Sequence, residues 1–127
     1  MITDELVSDT ARHLSAVLAS LQRQPEVQTA VLCTADGLTV NTQATNMSHI
    51  AAVGGFLLSA AQQSSAILER KNCQEVIVHL ADGACLICWP FTAGETQLIL
   101  TVLFKQKSAY RRLLAQTVRA IQQAVKD

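Results

Sequence analysis

Apolar residues recur at helical spacing at both ends of the chain and alternate, or run together, between them. Leu6, Thr10, Leu14, Val17, Leu18 and Leu21 keep a helical period. Thr3 stands where a cap belongs, Asp4 and Glu5 suit the positive end of the helix dipole, and Pro25 stops the pattern. Val27 to Thr34 is β-branched and apolar and predicts a strand. Ala35-Asp36-Gly37 predicts a tight turn, because glycine accepts positive φ, and Leu38 to Thr42 predicts the returning strand. A long helix follows from Asn46 or Ser48 to about Leu68, closed by Arg70, Lys71 and Asn72. Gln74 to Leu80 predicts a third strand, Ala81-Asp82-Gly83 a second tight turn, and Ala84 to Trp89 a fourth strand ended by Pro90. Gly94 and Glu95 turn into a fifth strand, Gln97 to Phe104. The last helix spans about Ser108 to Val125, with Tyr110, Leu113, Leu114, Thr117, Ile121 and Val125 facing inward.

The element order is therefore α-β-β-α-β-β-β-α. Short connections make most strand pairs antiparallel. Cys85 to Cys88 and Leu98 to Leu100 are apolar on both strand faces, which requires cover on both sides. The expected fold is α/β in the α+β sense. A five-stranded, mainly antiparallel sheet carries the long central helix on one face and the terminal helices on the other, as one domain over residues 1–127.

The central helix breaks the usual surface pattern. From residue 37 to residue 68 there are 32 residues with no Asp, Glu, Lys or Arg, although a surface helix normally carries charge outward. Ser48, Ala52, Gly55, Ser59, Gln62 and Ala66 recur at spacings of 4, 3, 4, 3 and 4. They form a row of small uncharged residues opposite a row of large apolar ones. A helix prepared for burial on both faces is expected to meet the fold with one and another chain with the other. The Gly54-Gly55 pair, which costs up to ~1 kcal/mol per glycine within a helix, points to close packing there.

Composition narrows the function. Half the residues are apolar and 16% are charged, so a packed core is expected rather than disorder. Residues 1–103 hold four basic and nine acidic side chains, a net −5, whereas residues 104–127 hold six basic and one acidic, a net +5. A neutral total argues against general nucleic-acid binding. The basic cluster Lys105, Lys107, Arg111 and Arg112 is a candidate contact for an acidic partner. The acidic N-terminus does not fit a secretory signal, and the apolar-plus-small run Ile50–Ala61 is 12 residues where a span needs roughly 20. A cytoplasmic protein without a membrane span is expected.

The chemistry of an enzyme is not evident. Cys85 and Cys88 are three apart on a strand, so their thiols point to opposite faces and do not grip one ion. Cys33, Cys73 and the three histidines, His13, His49 and His79, lie in separate segments. Asp36 and Asp82 are explained by their turns. No catalytic, metal or cofactor site is expected.

The order of elements, the hairpin segment Val31-Leu32-Cys33-Thr34-Ala35-Asp36-Gly37-Leu38-Thr39-Val40 and the helix segment Ala52-Val53-Gly54-Gly55-Phe56-Leu57-Leu58 resemble the Roadblock/dynein light chain domain family. That resemblance implies a homodimer, or a heterodimer with a related chain, in which central helices pack together and third strands join edge to edge. Ser48, Ala52, Gly55, Ser59, Gln62 and Ala66 would line the helix contact, with Val76 and Val78 in the strand contact. It further implies a non-catalytic partner of a Ras-like small GTPase, acting as activator or scaffold. The family's Asn-Leu-Gly-like entry to the last helix is replaced here by Lys107-Ser108-Ala109-Tyr110. Two other readings make different demands. A PAS-like or profilin-like small-molecule sensor needs a cavity with polar anchors, and a cysteine-based metal or redox module needs clustered thiols.

Overall fold

The computed structural model describes residues 4–35, 39–41, 48–107 and 109–126. Its elements are α1 (Asp4–Gln22), β1 (Val27–Thr34), β2 (Thr39–Asn41), α2 (Ser48–Ile67), β3 (Val76–His79), β4 (Cys85–Ala93), β5 (Thr96–Phe104) and α3 (Arg111–Lys126). Thr3, the Asp36-Gly37-Leu38 turn, Asn46 and Ser108 lie outside the described residues. The fold is α+β. The strands run β2-β1-β5-β4-β3, and every paired neighbour is antiparallel.

Two cores lie on opposite faces of this sheet. The larger joins α1 and α3 to the sheet through Leu14, Leu18, Leu32, Ile87, Leu100 and Ile121. The smaller lies under α2 and contains Val31, Cys33, Ala51, Leu58, Cys88 and Ile99. The central strand β5 alternates between them, Leu98, Leu100 and Val102 on one side and Ile99 on the other. Such a strand has no face left for polar residues, and Leu98 through Val102 are all buried.

Local chemistry explains several boundaries. Gly83 and Gly94 take φ of +98° and +62° in the two hairpin turns between β3, β4 and β5, a region open to glycine at little cost. The C-terminus of α2 closes differently from the expected basic stop. Glu69 takes φ of +58°, and the Arg70 and Glu69 amides donate to the Ser65 and Ala66 carbonyls. This is the double bond of a Schellman cap with glutamate in the position glycine usually fills.

Pro90 does not end β4. The strand continues to Ala93, and Pro90 pairs in register with Ile99 of β5. Its other edge is free, because β3 begins with Val76 opposite Cys88. A proline beyond the end of the neighbouring strand sacrifices no ladder bond.

The inward residues of α2 include Ala51, Gly54, Gly55 and Leu58, all buried. Gly54 faces the chain's own sheet. A Cβ on Gly54 would run into the Thr101 hydroxyl and crowd the Thr101 Cβ and Cγ2, at 3.3 and 3.4 Å. Thr101 is fully buried, and its Oγ1 has no conventional hydrogen-bond partner. Thr101 stands opposite Cys88 in the β4–β5 ladder, near enough for its hydroxyl to favour the charged form of the Cys88 sulfur as a donor, against the effect of burial.

Gly54→Ala should therefore destabilise the fold by about 1–2 kcal/mol despite alanine's better helix propensity, because β-branched Thr101 cannot swing aside. In a Thr101→Ala background the same substitution should become neutral or stabilising by up to ~1 kcal/mol. Urea unfolding of the four proteins measures the coupling. Additive effects would show that the glycine is not required by Thr101.

Candidate functional site

While Leu58 packs inward, other large apolar side chains of α2 point out. Val53 is 44% exposed, Phe56 71% and Ile67 81%, and Leu68 just past the helix is 68% exposed. Exposed apolar side chains grouped in this way mark an interaction surface. The stretch His49–Ile67 is long and apolar enough, by length and composition alone, to cross a bilayer. In the fold it instead lies flat, in contact with β1, β3, β4 and β5.

The sheet edge next to α2 is open. β3 pairs with β4 on one side, and among the described residues nothing pairs with its other side. Val76 packs against the same small core as Ala51 and Leu58. The inner face of α2 and the edge strand β3 thus share one core. Along β3, Val76 and Val78 are half-buried, while Ile77 and His79 are exposed. Leu80, directly after the strand, is 44% exposed.

The small-residue row is placed as follows. Ala52, Ser59, Gln62 and Ala66 are exposed and sit on the flank of α2, between the buried face and the outermost strip. Ser48 opens the helix, and its side chain is outside the described residues. Gly55 is buried within its own chain. Ser59, Gln62 and Ala66 also border an open groove of about 650 Å³, together with Asn72, Phe91 and Gln97. Its lining carries no charged side chain.

The basic cluster lies elsewhere. Lys105, Lys107, Arg111 and Arg112 are all exposed. Arg111 is held: its Nη2 lies 2.7 Å from Glu75 Oε1, and its guanidinium stands 5.7 Å from the centre of the Tyr110 ring. The Tyr110 hydroxyl donates to Glu75 Oε2 at 3.0 Å, and the ring packs 6.2 Å from Phe104. Burial, reinforced by the bond to the Glu75 carboxylate, raises the Tyr110 pKa above its ordinary value. Glu75 thus ties the approach to β3 to the entry of α3.

The comparisons with known proteins agree with this architecture. The Roadblock/LC7 domain family matches residues 6–104. The chain belongs to that family. A Roadblock/LC7 domain from Streptomyces avermitilis is similar at 24% identity and TM-score 0.63, with 91% of each chain covered. The gliding protein mglB from Thermus thermophilus is similar at 17% identity and TM-score 0.68, over 92% of this chain and 89% of that one. A structure of MglB with a tetrameric arrangement is similar at 17% identity and TM-score 0.69, over 92% and 88%. No curated protein matches.

In this Roadblock/LC7 domain the cysteines divide as strand geometry requires. Cys85 belongs to the core under α1 and α3, and Cys88 to the core under α2. None of the four cysteines is in a disulfide, and no group of metal-ligating side chains occurs among the described residues. Burial pushes the Cys88 thiol up to about 11, partly offset by Thr101. Cys85 is raised by burial too, against the pull of the Lys107 charge.

A thiol kept neutral in the fold but ionised in the unfolded chain costs stability as pH rises. The contribution is intact below the ordinary value of 9.0 and is lost between there and about 11. Stability should fall over that window by on the order of 1 kcal/mol per pH unit from Cys88, with Cys85 adding in the same direction. Urea unfolding across it tests this. Cys88→Ala should flatten the slope, and an unchanged slope would rule the thiol out as its source.

Proposed function

We propose that this chain is a non-catalytic, cytoplasmic regulator or scaffold that self-associates through α2 and β3 and binds a Ras-like small GTPase. The observation that carries it is that one molecule presents both an exposed apolar strip on α2 and an edge strand, β3, that packs on the core beneath that helix. Burying Phe56 alone is worth about 2 kcal/mol, and an unpaired strand edge invites a second strand. A second copy supplies both complements at once, by placing helix beside helix and strand beside strand. The family resemblance supports this arrangement, and the tetrameric arrangement of one MglB structure supports self-association among its fold neighbours. Ala52, Ser59, Gln62 and Ala66 flank the seam, Val53 and Phe56 form its apolar strip, and Val76 and Val78 lie in the joined strands. In such an assembly the regulator acts by shaping the GTPase's own site.

A small-molecule sensor is the weaker reading. The groove beside Gln62 and Asn72 is roomy, but it is open and offers no charged anchor to fix a ligand.

Sedimentation of the purified protein should give a dimer at roughly micromolar concentration. Phe56→Asp should weaken self-association by on the order of a hundredfold or more, at little cost to the fold, because a central apolar anchor would then bury an unpaired charge. Small GTPases retained from native extract should differ between GTP-analogue and GDP loading. A wild-type chain that stays monomeric at tens of micromolar would remove the self-association reading. Retention indifferent to nucleotide would remove the GTPase reading.

A further inference from the structure

The side of β3 that faces away from α2 carries a second, unlike surface. Ile77 pairs with Ile87 and His79 with Cys85, and both β4 residues belong to the core under α1 and α3. Cross-strand partners share a face, so Ile77 and His79 look toward the α3 side, as does Glu75 by strand alternation. The helical layer stops short of them. Ile77 is 38% exposed and His79 is exposed. Residues on either side of position 108 reach this strip. Arg111 and Tyr110 reach Glu75 at one end, and the Lys107 charge is felt at Cys85, opposite His79, at the other.

We propose that this strip is a docking surface for an acidic segment of a partner protein, gripped by Lys107, Arg111 and Arg112 and seated on Ile77. The charge balance selects the partner. No Asp or Glu occurs between Glu95 and Asp127, and Asp82 at the nearby hairpin accepts the Ala84 amide at 3.0 Å within its own turn. Arg111 has Glu75, whereas Lys105, Lys107 and Arg112 have no acidic partner among the described residues. The amino end of α3 adds its dipole to this positive field. Neutralisation must come from outside the strip.

Glu75 already displays the chemistry expected of the occupant. Its carboxylate is a ligand of Arg111 and Tyr110, and an incoming carboxylate competes with it for Arg111. Four strand residues extend roughly 13 Å, which suits a short extended or single-turn segment. A half-covered strand face beside a helix fits a narrow segment better than a flat lipid surface. The inference deepens the reading above, since it assigns the chemistry of a partner contact, but it concerns a face distinct from the α2 seam.

The test uses the full chain and a fluorescein-labelled peptide of Glu and Ser with one central Leu, followed by anisotropy at low salt. The wild type should bind it, and added salt should weaken binding. Lys107→Glu with Arg112→Glu should lower affinity at least roughly thirtyfold. Glu75→Gln should raise it about fivefold by releasing Arg111, and Ile77→Ser should lower it severalfold. The same peptide with Lys for Glu should not bind. Absence of binding, affinity indifferent to the Lys107 and Arg112 substitutions, or preferential capture by phosphatidylserine vesicles would overturn the proposal. Sedimentation of the same samples separates the two readings. A dimer with no charge-dependent peptide binding sinks the strip alone. A monomer that binds the peptide as described sustains the strip and sinks the self-association.

Discussion

The absence of a side chain at Gly54 lets α2 settle onto the buried Thr101 of the central strand, and much of the molecule's surface depends on that contact. A helix carrying two adjacent glycines gives up roughly 1–2 kcal/mol of helix propensity, which is offset when the backbone approaches a sheet closely enough to gain dense packing. Ala51 and Leu58 complete the same face. With those residues fixed inward, the helical period leaves Val53, Phe56 and Ile67 no choice but to face out. The exposed apolar strip is a geometric consequence of where the glycines go.

The charge-free stretch then has two separate causes. On the inner side, charge is excluded by the small core that holds Val31, Cys88 and Ile99, where an unpaired ion would be costly. On the outer side nothing among the described residues covers the helix, so its apolar character has no monomeric explanation. The dimer proposed above supplies one. It also explains why the charges gather elsewhere, along β3's opposite face and at the entry of α3. A seam built from apolar surface tolerates no ions, while a surface meant for a changing partner benefits from their longer reach and their sensitivity to salt.

The architecture was legible in the sequence because each element carried its own period. β5 reads as covered on both sides because Leu98, Ile99 and Leu100 leave no polar face, and it lies at the centre of the sheet. The orientation of α2 was not legible for the opposite reason. With neither face charged, periodicity separates small residues from large ones, but the face that meets the sheet mixes the two, Ala51 and Gly54 with Leu58. The glycine pair was the available signal, since a backbone without side chains can approach the chain's own sheet as readily as a second helix. In the proposed dimer, exposed Phe56 joins the lining, whereas Gly55 is buried within its own chain. The Glu75–Tyr110–Arg111 cluster was illegible because residues 75 and 110 are joined by the fold alone. Pro90 misled as a strand terminator because a sequence does not reveal where the neighbouring strand stops.

That proline has a further consequence. β4 outruns β3, and among the described residues no strand pairs with its outer edge from Trp89 to Ala93, next to a β3 edge that is likewise unpaired among them. Two adjoining open edges would let an incoming strand slide between registers. Pro90 lacks the amide that a ladder over the bare part of β4 would need, so it disfavours pairing there. β3 remains the edge with a full set of amides, bounded by Glu75 on one side and by the hairpin turn at Asp82-Gly83 on the other. The chain therefore narrows a long, hazardous sheet edge to a short one, beside the one helix whose outer face is apolar. A partner strand that enters there is held in register by the helix contact, and a partner helix that docks on Phe56 is held in place by the strand.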